Sequence, residues 1–408
     1  MDDPSEPYGP NRQREVYAGG MLADQHPDLP VDPDALREAA TDALSAEACA
    51  YVVGSAGGED TADRNREAFR RWRIVPRMLQ DVAERDLSVE LLGRELPVPV
   101  LLAPVGVQSI IHEGGELASA RAAADVGVPF VSSSAASATM EDVAAELGDA
   151  TGWFQLYPSQ NPDVIASFVD RAEEAGYEAI VVTLDTPTMG WRERDVANAY
   201  LPFLDGEGVA NYLADPAFRD SLDAPPEEDE RTALWQFIEQ FGDLSMDWAT
   251  VDAVVERTDL PVLLKGILHP EDAREAVRRG VDGVVVSNHG GRQVDGAIAA
   301  IEALPDVVEA VADERALADE GDDFAILFDS GIRRGADAIK ALALGADAVL
   351  LGRPYVYGLA IDGEDGVRAV VRNFLADLDL TLALSGRDSV ADLDESVLAD
   401  GSGNASLR

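Results

Sequence analysis

The sequence predicts an α/β protein: a (β/α)8 barrel of the TIM type, with an N-terminal helical extension and a long loop, or lid, after strand 4. Three observations predict it. Eight short, almost wholly apolar runs recur along the 408 residues, as expected of parallel strands covered on both faces. Amphipathic stretches of helical period separate most of them, and such strand–helix alternation argues for a closed barrel. The carboxyl end of run after run carries a polar, charged or glycine residue, which is where a barrel gathers its functional groups. A doubly wound open sheet is the alternative. It is weakened because no G-x-G-x-x-G follows any run.

The elements follow in order. Residues 1–97 read as a helical extension packed on the barrel. The first run, Val98–Pro104, leads to the helical pattern Gly115–Asp125. The second, Val128–Ser132, leads to Met140–Leu147, and the third, Trp153–Leu156, to Asp163–Ala175. After the fourth run, Ala179–Leu184, residues 190–250 interrupt the repeat. Usual connections are about 2–6 residues, and an insertion at the carboxyl end of a barrel strand is well placed to be a lid. Its middle, Pro225–Arg231 (PPEEDER), is expected to be mobile. The fifth run, Val262–Lys265, leads to Pro270–Gly280, the sixth, Gly283–Ser287, to Gly296–Ala312, and the seventh, Ala325–Phe328, to Gly335–Leu344. The eighth is Ala346–Leu351. The barrel domain is assigned to 98–395, and 396–408 to a flexible tail.

Composition excludes several functions. The chain has 77 acidic and 32 basic residues, a net charge of −45, and only two of the basic residues are lysines, Lys265 and Lys340. Such a surface repels nucleic acid and anionic membranes. The acidity is spread along the whole chain, as in proteins adapted to high salt, where screening shortens to about 3 Å at 1 M. A cytoplasmic protein of a salt-loving organism is the expectation. Cys49 is the only cysteine, so no intrachain disulfide or thiolate cluster can form, and no Cys/His/Asp spacing suggests a metal site. The acidic, Pro-rich N-terminus lacks the features of a signal peptide. No window nears 18 uninterrupted apolar residues, so no membrane span is expected.

The strand ends carry, in order, Gly106, Ser133 and Ser134, Gln155 and Tyr157, Thr183 and Asp185, Lys265, Ser287 and His289, Asp329, then Gly352 and Arg353. The densest segment is Ser287–Gln293 (SNHGGRQ). A His beside an Arg, with two glycines that let backbone approach a ligand, suits a base next to an anion site. Taken alone, His289 could equally cap a loop. Lys265 ends a buried run, where a cation stabilises negative charge on a cofactor or substrate. Asp329–Gly335 (DSGIRRG) and Gly352–Pro354 (GRP) close the last two strands. Barrels commonly bind phosphate there, with Arg333 and Arg353 as the cation pair.

With these motifs on the page, the chain resembles the FMN-dependent α-hydroxy-acid oxidising family, which includes glycolate oxidase, lactate oxidase and lactate 2-monooxygenase. Phe154–Tyr157 (FQLY), Thr183–Pro187 (TLDTP) and Lys340–Gly345 (KALALG) add to the match. The lactate 2-monooxygenase branch is resembled more closely, through Tyr51–Gly57 (YVVGSAG), Asn65–Phe69 (NREAF), Pro76–Leu79 (PRML), Gly190–Asp195 (GWRERD), the long insertion and Gly106. Two departures stand out: Ala135, where relatives often carry a bulky residue, implies a wider pocket, and Val52 replaces a second Tyr.

The resemblance implies FMN as cofactor, a homotetramer or octamer, and the following roles. His289 is the active-site base and Asp185 the carboxylate that orients it. Arg292 and Arg192 clamp the substrate carboxylate, with Tyr51 as a hydrogen-bond donor. Tyr157 faces the substrate hydroxyl, and Lys265 the N1–O2 edge of the flavin. Pro104, Val105, Gly106, Ser133, Gln155, Thr183 and Ser287 contact the cofactor. Asp329, Gly331, Arg333, Gly352 and Arg353 hold its ribityl chain and phosphate. It also implies oxidation of a small L-2-hydroxy acid with O2 as partner. The expected outcome is that of an L-lactate 2-monooxygenase, with oxidase or dehydrogenase chemistry as the alternative. Gly106, lacking a Cβ, is expected to leave space above the ring.

Overall fold

A computed structural model describes residues 8–318 and 324–400. Its centre is a closed parallel barrel. The strands are β1 (Val100–Leu102), β2 (Phe130–Ser133), β3 (Gly152–Leu156), β4 (Ile180–Thr183), β5 (Val262–Ile267), β6 (Gly283–Val286), β7 (Ala325–Phe328) and β8 (Ala348–Leu351). Each of the eight lies within or overlaps one apolar run. The barrel closes where Val349, Leu350 and Leu351 of β8 pair with Val100, Leu101 and Leu102 of β1.

The strands are apolar on both faces for two different reasons. Outward residues such as Val100, Leu102, Phe130, Phe154, Ile180 and Val182 pack under the helices. Inward residues, among them Leu101, Val131, Trp153, Val181, Leu263, Val285, Leu327 and Leu350, fill the interior. The period of two is therefore present in space but hidden in hydropathy.

The extension is helical only in its first part, through Tyr8–Ala23, Pro33–Ala43, Ala46–Val53 and Asp60–Ala68. Asp32 and Ser45 cap the second and third of these by accepting from Asp34 and Ala35, and from Ala48. Beyond Arg71 the helical expectation is corrected. Val89–Leu91 and Arg94–Leu96 form an antiparallel hairpin around Leu92-Gly93, both left-handed at φ +52° and +73°. Leu91 and Leu96 join the interior cluster, so the hairpin stoppers the barrel just ahead of β1. Trp72–Ile74 pairs with Leu398–Asp400. The chain is thus tied down through Asp400, and the rest of the expected tail, 401–408, lies outside the described residues.

The insertion after β4 is a packed helical layer: Glu193–Asn198, Ala210–Ala214, Pro216–Asp220 and Glu230–Gln240, with a 3-10 turn at Pro202–Asp205. In PPEEDER, residues 225–229 form a turn whose Asp229 caps the last helix by accepting from Thr232, and Glu230 and Arg231 begin that helix. Edge-to-face aromatic pairs dock the layer. Tyr212 meets Phe168 of the barrel helix Pro162–Glu174 at 4.8 Å, and Phe237 at 4.7 Å. Phe203 and Phe241 continue the stack to Tyr157.

Candidate active site

The site is the next inward layer of the barrel. Because side chains alternate along a strand, the residue two beyond each interior Val, Leu or Trp also faces inward. Val131 is followed by Ser133, Trp153 by Gln155, Val181 by Thr183, Leu263 by Lys265, Val285 by Ser287 and Leu327 by Asp329. All six polar residues are buried. A ring of hydroxyls, an amide, an ammonium and a carboxylate thus replaces hydrocarbon at the carboxyl end of the barrel. The cleft above it holds about 1,090 Å³ of space, open solvent at its mouth included.

His289 follows β6 in the left-handed region, φ +57°, a conformation that needs support. Its backbone N–H donates to Ser287 Oγ at 3.0 Å. Asn288 exchanges two 2.8 Å amide hydrogen bonds with Asn65 of the extension and accepts from Gly291 N–H. The ring is thereby aimed: Nδ1 lies 2.7 Å from Asp185 Oδ1 and 3.3 Å from Thr186 Oγ1. Nε2 faces the cleft, 3.5 Å from the Tyr157 hydroxyl. Asp185 comes this close because Gly266 has no side chain; a Cβ there would sit 2.7 Å from that of Asp185.

Electrostatics fit a neutral imidazole beside a carboxylate. Burial lowers the pKa of His289, with Asp185 opposing and Lys265 and Arg192 adding to the drop. Burial raises the Asp185 carboxyl, but His289 and Lys265 outweigh it and hold the group at about 2. Lys265 Nζ lies 3.1 Å from Ser287 Oγ and 3.4 Å from Asp329 Oδ2. Burial disfavours its charge, yet Asp329 and Asp185 keep its pKa above the ordinary value. Tyr157 and Tyr51 are both raised, chiefly by burial, and stay protonated donors.

Two pairs of arginines also line the cleft. Arg292 donates to the carbonyls of Tyr51 and Gly54 and lies 5.0 Å over the Tyr51 ring. Arg192 donates to Gln293 Oε1 at 3.1 Å. Burial and the Arg192 charge push Arg292 down to about 9. On the other side, Arg353 donates to the carbonyls of Val52, Gly54 and Gly290 and to Ser55 Oγ. Arg333 donates to Ile332 O; burial, with Arg353 and Arg66 adding to it, brings it down to about 10. Among the described residues no carboxylate comes within ion-pair distance of Arg292, Arg333 or Arg353. In a chain of net charge −45, half-buried cations without carboxylates mark places for anionic ligands.

Tyr51, Pro104, Val105, Gly106, Ser133, Tyr157, Arg192, Lys265, His289, Arg292, Asp329, Gly331, Arg333, Gly352 and Arg353 all line this one cleft. Asp185 stands behind His289, and Gln155, Thr183 and Ser287 lie in the buried layer beneath. The Gly106 expectation is corrected. Its absent Cβ points at the Ala135 carbonyl, 2.4 Å away, so the glycine lets two loops touch rather than clearing space above a ring. Sequence reasoning missed Thr186, a second partner of His289, although TLDTP contains it. It also missed Met189, just ahead of the insertion, and the insertion residues Phe203 and Phe241, all on the cleft wall, for which no local pattern existed.

Residues 40–400 match the family model described as FMN-dependent dehydrogenase. The chain belongs to that family. Among curated relatives, an L-lactate oxidase of Lysinibacillus sphaericus is 44% identical over 358 residues, 88% of this chain and 90% of that protein. An FMN-dependent alpha-hydroxy acid dehydrogenase of Schizosaccharomyces pombe is 42% identical over 407 residues, 97% of each chain. A crystal structure of mandelate oxidase superposes with a TM-score of 0.78 at 39% identity, covering 91% of this chain and 98% of that one. The protein is an FMN-dependent oxidoreductase acting on 2-hydroxy acids. Its cleft suits that cofactor. Gln155 Nε2 and Thr183 Oγ1 are buried without a hydrogen-bond partner, the state expected of groups reserved for a heteroaromatic edge. Arg333 and Arg353 suit a terminal phosphate beside the start of the helix Arg353–Leu384.

Proposed function

We propose that the protein oxidises a small L-2-hydroxy acid, with L-lactate as the reference substrate, and retains the 2-oxo acid long enough for its decarboxylation: L-lactate + O2 → acetate + CO2 + H2O. The observation that carries the substrate class is a carboxylate-backed imidazole facing two arginines in one cleft.

Arg292 and Arg192 hold the substrate carboxylate, with the Tyr51 hydroxyl as a further donor, because planar forks match a carboxylate. This fixes Cα and its hydroxyl beside Tyr157 and His289. His289 Nε2, unprotonated at neutral pH, removes a proton from the substrate. Asp185 stabilises the imidazolium that forms. FMN, when bound, supplies the two-electron acceptor. Lys265 places a positive charge where negative charge develops, while Ser133, Gln155, Thr183 and Ser287 orient the ring and Asp329, Gly331, Arg333, Gly352 and Arg353 hold the chain and phosphate.

Retention of the oxo acid is supported by the insertion, whose Phe203 and Phe241 wall the cleft and are anchored in a buried aromatic stack. If peroxide forms while the oxo acid is held, it removes the carboxyl group as CO2. The second reading, an oxidase releasing 2-oxo acid and H2O2, is favoured by relatives named L-lactate oxidase and 2-hydroxyacid oxidase 1. Product analysis after aerobic turnover of L-lactate separates them. Acetate and CO2 with little peroxide support retention; stoichiometric pyruvate and peroxide overturn it.

The acidic surface supports a cytoplasmic, salt-adapted protein, since dense like charge is tolerated where salt screens it. No described helix is long and apolar enough to cross a membrane.

A further inference from the structure

Behind Gly106 and Ala135 lies a buried polar cluster that the chemistry above does not use. Glu116, in the first turn of the helix Gly115–Val126, is 1% exposed. Its Oε1 accepts from Gln108 N–H at 2.9 Å and from Ser137 N–H at 3.1 Å, one amide from the loop after β1 and one from the loop after β2. The hydroxyls beside those amides face the insertion. Gly208 N–H donates to Ser137 Oγ at 3.1 Å, Ser137 and Ser109 hydroxyls lie 2.6 Å apart, and Ser109 Oγ bonds the Glu207 carboxylate. Glu207 and Gly208 are adjacent, so the donors run in one ring from the insertion through both loops and back. The Glu207 side-chain oxygen is the acceptor that the last hydroxyl in that ring requires.

Packing reinforces the ring. Gly208 is left-handed at φ +76°, and a Cβ there would meet Val107 Cγ2 at 2.6 Å, Phe203 at 3.0 Å and the Ala135 carbonyl at 3.2 Å. Val107 is itself left-handed at φ +60°, a strained state for a β-branched residue. It is held by its own N–H bond to Ala135 O at 3.0 Å. Phe203, four residues before Glu207, is on the cleft wall.

We propose that Glu207 is a positioning residue: through Ser109 and Ser137 it clasps the insertion to the loops after β1 and β2, and so sets how long substrate and product stay in the cleft. The inference rests on the reading of the insertion as the cover that retains the oxo acid. Glu207 touches no reacting group, so the clasp acts on residence rather than on the chemical step.

The test uses FMN-loaded Glu207→Ala, Glu207→Gln and Ser109→Ala. Losing a hydrogen bond to a charged group lets the KM for L-lactate and the Kd for pyruvate, read from its perturbation of flavin absorbance, rise about five- to tenfold. The limiting rate of anaerobic flavin bleaching stays within about twofold, as for loss of uniform binding. Amide exchange speeds up at 206–213. Glu207→Gln keeps an acceptor and restores most of the affinity. Ser109→Ala breaks the same ring from the loop side, and covers the case in which a Glu207 variant fails to fold. Unchanged KM, pyruvate affinity and exchange in Glu207→Ala or Ser109→Ala overturn the proposal, as does a fall in limiting rate at constant KM. The aerobic products of the wild type report separately: release of pyruvate and peroxide refutes the retention reading, while looser pyruvate binding in the variants still supports the clasp.

Discussion

Replacing Asp185 by Asn keeps the shape of the side chain and removes the charge behind His289. In the resting protein the carboxylate lies 2.7 Å from Nδ1, and both side chains are largely shielded from water, at 13% and 16% exposure. At an effective dielectric of about 20, opposite charges that close attract by roughly 6 kcal/mol before desolvation, and breaking a buried pair costs about 3–5 kcal/mol. The charge pair exists only once His289 has taken the proton, so the loss falls on the transition state: flavin bleaching by L-lactate slows by about 10²–10⁴-fold. The pH profile moves in a defined direction. Burial already lowers His289, and Asp185 is the principal group raising it. The wild-type acid limb of kcat/KM therefore lies below about 6.5, and the variant's lies lower still, on a reduced plateau. The assay is anaerobic stopped-flow absorbance across pH, with FMN content measured for each sample. An unchanged bleaching rate, or an acid limb that moves up, refutes the reasoning.

Three other outcomes follow from the same geometry. Arg353→Lys loses a guanidinium that reaches Val52, Gly54, Ser55 and Gly290 together; FMN affinity, measured by fluorescence quenching, falls about tenfold or more, and undiminished affinity contradicts the phosphate assignment. Gly106→Ala drives a Cβ against the Ala135 carbonyl, so stability falls by about 1–3 kcal/mol, the melting temperature drops, and bleaching and reoxidation both slow; slowing of reoxidation alone contradicts the structural account. Thermal melting shifts upward as KCl rises from dilute buffer to molar concentrations, because self-repulsion among the surface carboxylates is screened; an unresponsive melt contradicts salt adaptation.

The barrel was legible because parallel strands buried on both faces are short apolar runs, and each run overlaps a strand. The site was legible where motif density was high: SNHGGRQ, DSGIRRG and GRP all reach the cleft. Other features were hidden for physical reasons. Ser133, Gln155, Thr183 and Lys265 share one inward layer, but hydropathy cannot reveal a period of two when Phe130 and Ile180 are outward and apolar as well. The hairpin at Val89–Leu96 lies in a short stretch, ELLGREL, whose turn depends on left-handed Leu92 and Gly93 rather than on a strong Asn-Gly signal. Phe241 and Phe203 reach the site through tertiary packing of the insertion, and Glu116 acts through backbone amides 8 and 21 residues away; neither leaves a local pattern.

The most direct test is anaerobic mixing of the FMN-loaded protein with L-lactate, with D-lactate and the His289→Ala variant as controls. The account predicts that L-lactate bleaches the wild-type flavin, that D-lactate does not, and that His289→Ala retains FMN but bleaches at least about 10²-fold more slowly. Bleaching of His289→Ala by L-lactate at the wild-type rate, or no bleaching of the wild type by any small 2-hydroxy acid, contradicts it.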